Sequence, residues 1–441
     1  MSAIVVGEVR KLTLPELSDC GTFLEPKSHD GFHMSACLIP SDLLGSIRSS
    51  ACRNLRRALA IMTLATMHSP LQAAGIEMLT VPAGFTIETL PFEVPNARQM
   101  ALTEAGHLII GTRKRGDVYA VKNALTSATP EVVVLFDDLT MPSGVAIHEG
   151  DLYIAARSDI LRVNDIDQSI SVNPTADLVT DDLPRKSHHG WKYIKFDRDG
   201  MLYVPVGAPC NICLSDDPRF AAILRMNPKT GDSQIIGQGI RNIVGMDWHP
   251  TTGDLWVSNN ARDMLGDDIP ADELNVIPVS VNEVDENAPH YGYPFVHSNA
   301  ANLPAGIIND PKFGDHKARP ETMVPAALRM QAHAAPLGMV FYTDQAFPPH
   351  YRDALFVAEH GSWNRSSKVG YQVSVMTTSA EGDLSYEPFI TGWLQGENAW
   401  GRPNDVLLVP DGSLLISDDK AGVIYRVRYQ GPVAAVAAAV R

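Results

Sequence analysis

Lys186 to Gly200 read KSHHGWKYIKFDRDG. Two adjacent histidines, His188 and His189, and then Lys192 stand at the entrance to an apolar run that reads as a buried strand. Titratable groups seldom enter a strand for packing alone, and an imidazole that is largely neutral near pH 7 can serve as a general base. Polar groups stand in the same place ahead of other apolar runs: Arg98 and Gln99, Arg241 and Asn242, His333, Arg402 and Asn404. Guanidinium groups pair with carboxylates at two points, so a ring of them suits a flat, polyanionic ligand. Downstream of the histidines lies CNIC, with Cys210 and Cys213. Leu214 occupies the position where a c-type haem motif requires His, and no second CxxC exists to complete a zinc site. A local disulfide and a pair of free thiols are the remaining readings, the disulfide favoured if the chain is exported.

The elements that position these groups follow from an internal repeat. A turn, a leucine, an aromatic or aliphatic residue and a β-branched residue recur as AGHLII, EGDLYI, DGMLYV, TGDLWV, RDALFV and DGSLLI. The leucines are Leu108, Leu152, Leu202, Leu255, Leu355 and Leu414, with spacings of 44, 50, 53, 100 and 59 residues. Five of the six have Gly two residues earlier, as a tight hairpin turn prefers. An apolar run precedes each turn, so each unit holds two strands with room for two more. The predicted fold is all-β, a six-bladed β-propeller with a loop insertion in the fifth-blade region, near residues 264–332. The segment GFTIETL (84–90) is expected to be an outer strand closing the ring with the last blade.

In that architecture the residues before each inner strand and those after each second strand meet on one face. The second set adds Arg113, Asn259, Asn260, Arg262, Asp263, His360, Trp363, Asn364, Arg365 and Lys420. Arg113, Arg262 and Lys420 read individually as solvated loop charges or members of local ion pairs. The convergence of basic groups from five blades is the informative feature, because the repeat itself sets their positions.

The formal net charge of −15 excludes a general nucleic-acid binder, which carries a basic footprint. Residues 53–74, RNLRRALAIMTLATMHSPLQAA, have the layout of a secretory signal peptide; the alternative is a buried amphipathic helix. The chain then divides into an N-terminal extension (1–52, with Met34 an alternative start), the signal (53–74), the propeller (75–430) and a tail (431–441). The expected location is periplasmic or secreted, with no integral membrane segment in the mature chain. Cys20, Cys37 and Cys52 all precede the expected cleavage site, leaving Cys210 and Cys213 as the mature pair.

The runs VPNARQMAL, HHGWKYIKFDRDGMLYVPVGAPCNIC, GIRNIVGMDWHP, LGDDIPADELN, HYGYP, AEHGSWNRS and GRPNDVLLVPDGSLLISDD resemble the sorbosone dehydrogenase family, over roughly residues 78–428. That family belongs with the soluble glucose and pyranose dehydrogenases that use pyrroloquinoline quinone (PQQ). The resemblance implies PQQ and Ca²⁺ on the central face of the propeller and a sugar or sugar-derived aldehyde as substrate. It implies His188 as the base that takes the hydroxyl proton, with His189 the alternative, and Lys192 as a cofactor contact. It further implies Arg241 and Asn242 at the quinone and its carboxylates, and Arg402, Arg98 and Arg365 around the cofactor; His333, placed on the same face by the repeat, is a further candidate cofactor contact. Asn404 stands where the family has a second arginine, which puts one carboxylate contact in doubt. Asp267 and Asp268 occupy the position of the family's calcium ligands, and as an alternative are solvated loop acids. With no haem motif in the chain, an external cytochrome or quinone-linked acceptor is implied.

Two other classes compete with this reading. A calcium-dependent propeller lactonase or other hydrolase would want carboxylates and amides around a central metal rather than several arginines. A non-catalytic carbohydrate-binding propeller would take up no PQQ.

Overall fold

Each recurring turn places its third residue in left-handed backbone. In the computed structural model, which describes residues 75–278, 284–379 and 381–431, Gly106, Gly150, Gly200, Gly253 and Gly412 have φ of 75° to 84°. Asp353, where the fifth unit lacks glycine, adopts the same conformation at φ 60°. Asp is among the few side-chain-bearing residues that tolerate this region. The leucine that follows each turn is almost wholly buried, at 3% exposure or less.

Each turn joins an inner strand to a second strand. The inner strands are Ala97–Leu102, Gly144–His148, Lys195–Phe196, Met246–Trp248, Pro336–Phe341 and Pro403–Leu408. The second strands are Leu108–Thr112, Asp151–Ala155, Leu202–Val206, Leu255–Asn259, Leu355–Glu359 and Leu414–Asp418. With two further strands apiece they form six four-stranded antiparallel sheets, the blades of a propeller. The strand Phe85–Glu93 pairs antiparallel with Val423–Tyr429 as the outermost strand of blade 6, so the N-terminal end of the propeller closes the ring. Between the blades lie apolar layers, the largest of which packs Phe85 against Phe347, Tyr351 and Phe389 across the closure.

The long inserted stretch falls in the fourth blade rather than the fifth. Its third strand, Asp272–Ile277, and its fourth, Leu328–Met330, both lie inside the region expected to be loop. What separates them carries a small hairpin, Val296–Ser298 with Ile307–Asn309. The insertion is tied to the blade by a buried ion pair, Arg262 Nη1 to Asp310 Oδ2 at 2.5 Å, with His297 Nε2 donating to the same oxygen at 2.9 Å. Arg262 is therefore a buried structural cation, not a solvated loop charge.

Near the axis the blades are joined by polar side chains rather than by further strands. Asp405 of blade 6 accepts from Met100 N (2.8 Å) in blade 1 and from the Tyr193 hydroxyl (3.3 Å) ahead of blade 3. Gln99 accepts from Val145 N and Ile194 N and donates to Ile194 O, joining blades 1, 2 and 3. Asp247 accepts from Phe341 N, and Asp272 from Ala261 N and Ala335 N, joining blades 4 and 5. Burial pushes Asp272 and Asp405 up to about 7.

The extension 1–52 and the signal at 53–74 lie outside the described residues, as does the tail beyond Gly431. Among the described residues no helix is long and apolar enough to cross a membrane.

Truncating Asp405 leaves a buried N–H and a buried hydroxyl without an acceptor. Asp405→Ala is expected to lower stability by about 2–5 kcal/mol in urea unfolding, while exposed Asp138→Ala should change it by less than ~0.5 kcal/mol.

Candidate functional site

The residues before the inner strands and those after the second strands converge, as the repeat requires, on a central cleft of about 500 Å³. Arg98, His188, His189, Arg241, Asn242, His333 and Arg402 line it, together with Arg113, Trp191, Asn260, Asp263, Asp272, His360 and Trp363. Trp363 is 68% exposed at the rim, the most open of the large aromatic side chains.

One wall is a cluster of cations on a single carboxylate. Asp419 Oδ2 receives Arg98 Nη2 at 2.8 Å and Arg113 Nη1 at 3.4 Å, and Asp419 Oδ1 receives His360 Nε2 at 2.9 Å. Burial alone would raise the Asp419 carboxyl, but His360 and Arg98 outweigh it and hold the group ionised well below the usual carboxylate range. Burial lowers His360 to about 4, so its imidazole is neutral at pH 7. Arg402 is linked to the cluster through Nε, which donates to His360 O at 3.3 Å. Its terminal nitrogens have no hydrogen-bond partner among the described residues. Two guanidinium groups thus pair with Asp419 with a third close by, and burial together with repulsion from Arg113 and Arg402 brings Arg98 down to about 10 despite Asp419. Trp191 lies beneath Arg98 and Arg113, whose guanidinium carbons are 5.7 and 5.3 Å from its ring centroid, and its indole N–H donates to Arg113 O.

The opposite wall holds the two histidines, their rings edge-to-face at 4.1 Å. His189 Nδ1 is 2.8 Å from Ala208 O. A carbonyl only accepts, so Nδ1 carries the proton and Nε2 keeps its lone pair. His188 is exposed to the cleft, and its ring makes no hydrogen bond among the described residues. Burial, then the nearby positive charge of Arg241, lowers both imidazoles, His189 well below 6.5; Asp263 opposes the shift at His188.

Arg241 is 3% exposed, and all five of its N–H groups are engaged. Nε donates to Asn211 O (2.9 Å), Nη1 to Asn260 O (3.1 Å) and Ala261 O (2.8 Å), and Nη2 to Asn211 Oδ1 (2.9 Å) and Asp263 Oδ2 (3.2 Å). It borders the cleft as a fixed charge, with no donor left over for a ligand in this arrangement. His333, also at the cleft wall, donates from Nε2 to Gly266 O.

Five expected site residues are not at the cleft surface. Lys192 is 2% exposed and buried behind the histidine loop, where Nζ donates to Gly190 O at 3.1 Å. Burial and the proximity of Arg157 lower it to about 8. Asn404 lies behind Arg98, and with its amide oxygen turned to the guanidinium it accepts from Nε at 3.2 Å and Nη1 at 2.7 Å. It therefore orients an arginine instead of replacing one. Arg365 donates from Nη1 to Asp267 O, and Ser366 N donates to Asp267 Oδ1. Asp268 is exposed, 3.6 Å from Arg365. Asp267, Asp268 and Arg365 thus close on one another outside the cleft. Among the described residues no group of three His, Cys, Asp or Glu side chains could hold a metal ion.

Trp191, Asn211, Asp272 and Asp419 are functional neighbours that motif reasoning missed. Asn211 and Asp419 follow second strands, so the repeat places them on the correct face. Their side chains are small and common, and only the contacts distinguish them.

The family model described as TrAA12-like matches residues 79–430. An uncharacterized protein of Borreliella burgdorferi is 32% identical over 368 residues, 80% of this chain and 91% of that one. Among solved structures, a Trichoderma reesei carbohydrate-active enzyme of family AA12, in a calcium structure, superposes with TM-score 0.66 at 19% identity, covering 82% of this chain and 99% of that one. The PQQ domain of Coprinopsis cinerea pyranose dehydrogenase gives 0.62 at 18% identity, covering 79% and 97%. The soluble aldose sugar dehydrogenase of Escherichia coli gives 0.56 at 17% identity, covering 78% and 99%. At these identities the structural likeness is one of fold.

The charge arrangement makes a spectroscopic prediction. In NMR titrations of protein labelled with ¹⁵N-histidine, His188 and His189 should both protonate below the ordinary value near 6.5. Arg241→Gln should move both upward; no movement would show that Arg241 exerts no field on them.

Proposed function

The chain belongs to the TrAA12-like family, and from that premise we propose that it is a PQQ-dependent oxidoreductase that oxidises a sugar or a sugar-derived aldehyde. The observation that carries this reading is the cleft in which Arg98 and Arg113 share one carboxylate, with Arg402 beside them, opposite two imidazoles whose protonation is disfavoured. A surplus of guanidinium charge in a partly dry cleft suits a planar ligand with several carboxylates. PQQ, a tricarboxylate with an o-quinone, has that chemistry, and the aromatic faces of Trp191 and Trp363 suit its flatness.

When bound, PQQ supplies an o-quinone able to accept a hydride from a substrate carbon. Arg402, whose terminal donors are free, and Arg113 would hold its carboxylates, with Arg98 kept in orientation by Asn404. Lys192 adds a buried positive charge from behind the histidine loop. His188 opens on the cleft and would take the substrate hydroxyl proton, which strengthens the adjacent C–H pair as a hydride donor. His189, anchored through Ala208 O, packs edge-on against His188 and limits where that ring can turn. Burial, and then the charge of Arg241, disfavours protonation of both rings, and a base must be unprotonated to act. Asp267 and Asp268 do not fit as the calcium ligands, because their partners are Arg365 and Ser366, and no step here runs through a metal. The exported location and an external electron acceptor belong to the same proposal.

Reconstitution with PQQ, in the presence and absence of Ca²⁺, should give dye-linked oxidation in a screen of aldoses, sorbosone and simple alcohols. Absence of PQQ uptake at micromolar concentration sinks the reading. His188→Ala should cost about 10²–10⁴-fold in kcat with PQQ still bound; full activity would pass the role to His189. Arg402→Gln should weaken PQQ binding roughly tenfold or more, the worth of a charge-assisted hydrogen bond.

A further inference from the structure

The segment GAPCNIC, Gly207 to Cys213, follows the second strand of blade 3, and its contacts reach well beyond a local staple. A Cβ on Gly207 would lie 2.5 Å from His189 Cβ and 2.8 Å from Asn242 Oδ1, so only glycine fits between them. Ala208 takes the His189 Nδ1 proton on its carbonyl, while its own N–H donates to Arg241 O at 2.8 Å. Cys210 and Cys213 are bridged, and between them sits Asn211. Asn211 presents its carbonyl to Arg241 Nε and its Oδ1 to Arg241 Nη2. The same Oδ1 accepts from Asp263 N at 2.9 Å, and Nδ2 donates to Asp263 O at 3.1 Å. Tyr293 braces the loop from the insertion: Cys213 N donates to its hydroxyl at 3.1 Å, and that hydroxyl lies 3.4 Å from Asn211 O.

We infer that Asn211, held in the four-residue loop closed by the Cys210–Cys213 bridge, is the positioning residue that sets Arg241 and Asp263 against the histidine pair. The inference rests on the reading of this cleft as the reaction site. Arg241 takes two of its five acceptors from Asn211, one from the main chain and one from the side chain. The side-chain contact survives only while the loop backbone stays in place. The loop lies outside any strand, so its backbone is held by the disulfide together with the Tyr293 hydroxyl and the packing of Ile212. Arg241 is thereby fixed as a source of field without donors facing the ligand. Asp263, the carboxylate beside it, is fixed through its main chain as well as its side chain. The charged groups facing the histidines are then Arg241, Asp263 and the buried Lys192, and the loop sets the first two.

Hydrogen–deuterium exchange of the amide of Asp263 in the intact protein tests this without requiring turnover. Asn211→Ala should speed that exchange by about threefold to tenfold, the worth of one hydrogen bond. Asn211→Asp keeps the Oδ1 acceptor but loses the Nδ2 donor to Asp263 O, and should fall between wild type and Asn211→Ala. The double variant C210S/C213S, and wild type treated with a dithiol, should resemble Asn211→Ala. In PQQ-loaded protein Asn211→Ala should lower kcat on the order of 10–100-fold with little change in KM, and Asn211→Asp should recover only part of it. Asp263 exchange unchanged in both Asn211→Ala and C210S/C213S would overturn the inference. If the exchange responds while no variant, wild type included, takes up PQQ, the clamp stands and the cofactor reading falls. Should Asn211→Ala fail to fold, the dithiol-treated wild type decides it: unchanged Asp263 exchange there overturns the inference.

Discussion

Inner strands at the axis of a propeller have no further strand to pair with, yet they are buried, and their N–H and C=O groups must find partners. Here the partners are carboxylates, an amide and hydroxyls reaching across from adjacent blades. Asp405, Gln99, Asp247 and Asp272 each bridge at least two blades, and Ser143 and Ser417 do the same through their hydroxyls. The ends of the inner strands are thereby fixed relative to one another. The residues of the cleft are attached to one of those ends or to the end of a second strand, except Asp272, which opens the third strand of blade 4.

That rigidity lets like charges be held together. Arg98, Arg113 and Arg402 would separate if they stood on mobile loops; on strand ends braced by neighbouring blades they remain around Asp419. Burial strengthens both the repulsion among them and their attraction to the shared carboxylate. The same low-polarity surroundings keep His188, His189 and His360 neutral. The cleft therefore joins a strongly cationic wall to a basic but uncharged one. An acidic protein, at −15 overall, concentrates a positive field at one place on its surface.

Support for the site is distributed unevenly. The cation wall is organised by a side chain, Asp419, from blade 6. The histidine wall is organised largely by main chain, through Ala208 O, Asn211 O, Asn260 O and Ala261 O. Main-chain acceptors have no torsional freedom of their own, so the position of Arg241 depends on how firmly the loop backbone is held. The CNIC bridge lies at the point where that backbone has no strand to hold it.

Much of this was legible in residue order. The leucine repeat determined six blades, the turn residues and the closing role of 84–90, because strand period and hairpin chemistry are local properties. It also assigned Arg98, His188, His189, Arg241, Asn242, His333 and Arg402 to one face. What it could not determine was how each group spends its hydrogen bonds. Arg241 and Arg402 are alike as letters; one has every donor committed to protein acceptors and the other has its terminal nitrogens free. Asp267 and Asp268 look like cation ligands until Arg365 and Ser366 are seen to occupy them, and Asn404 looks like a lost arginine until it is found behind Arg98. Those distinctions belong to the tertiary structure alone, because a hydrogen bond depends on distance and direction between groups the chain brings together from far apart, 319 residues in the case of Ser417 and Arg98.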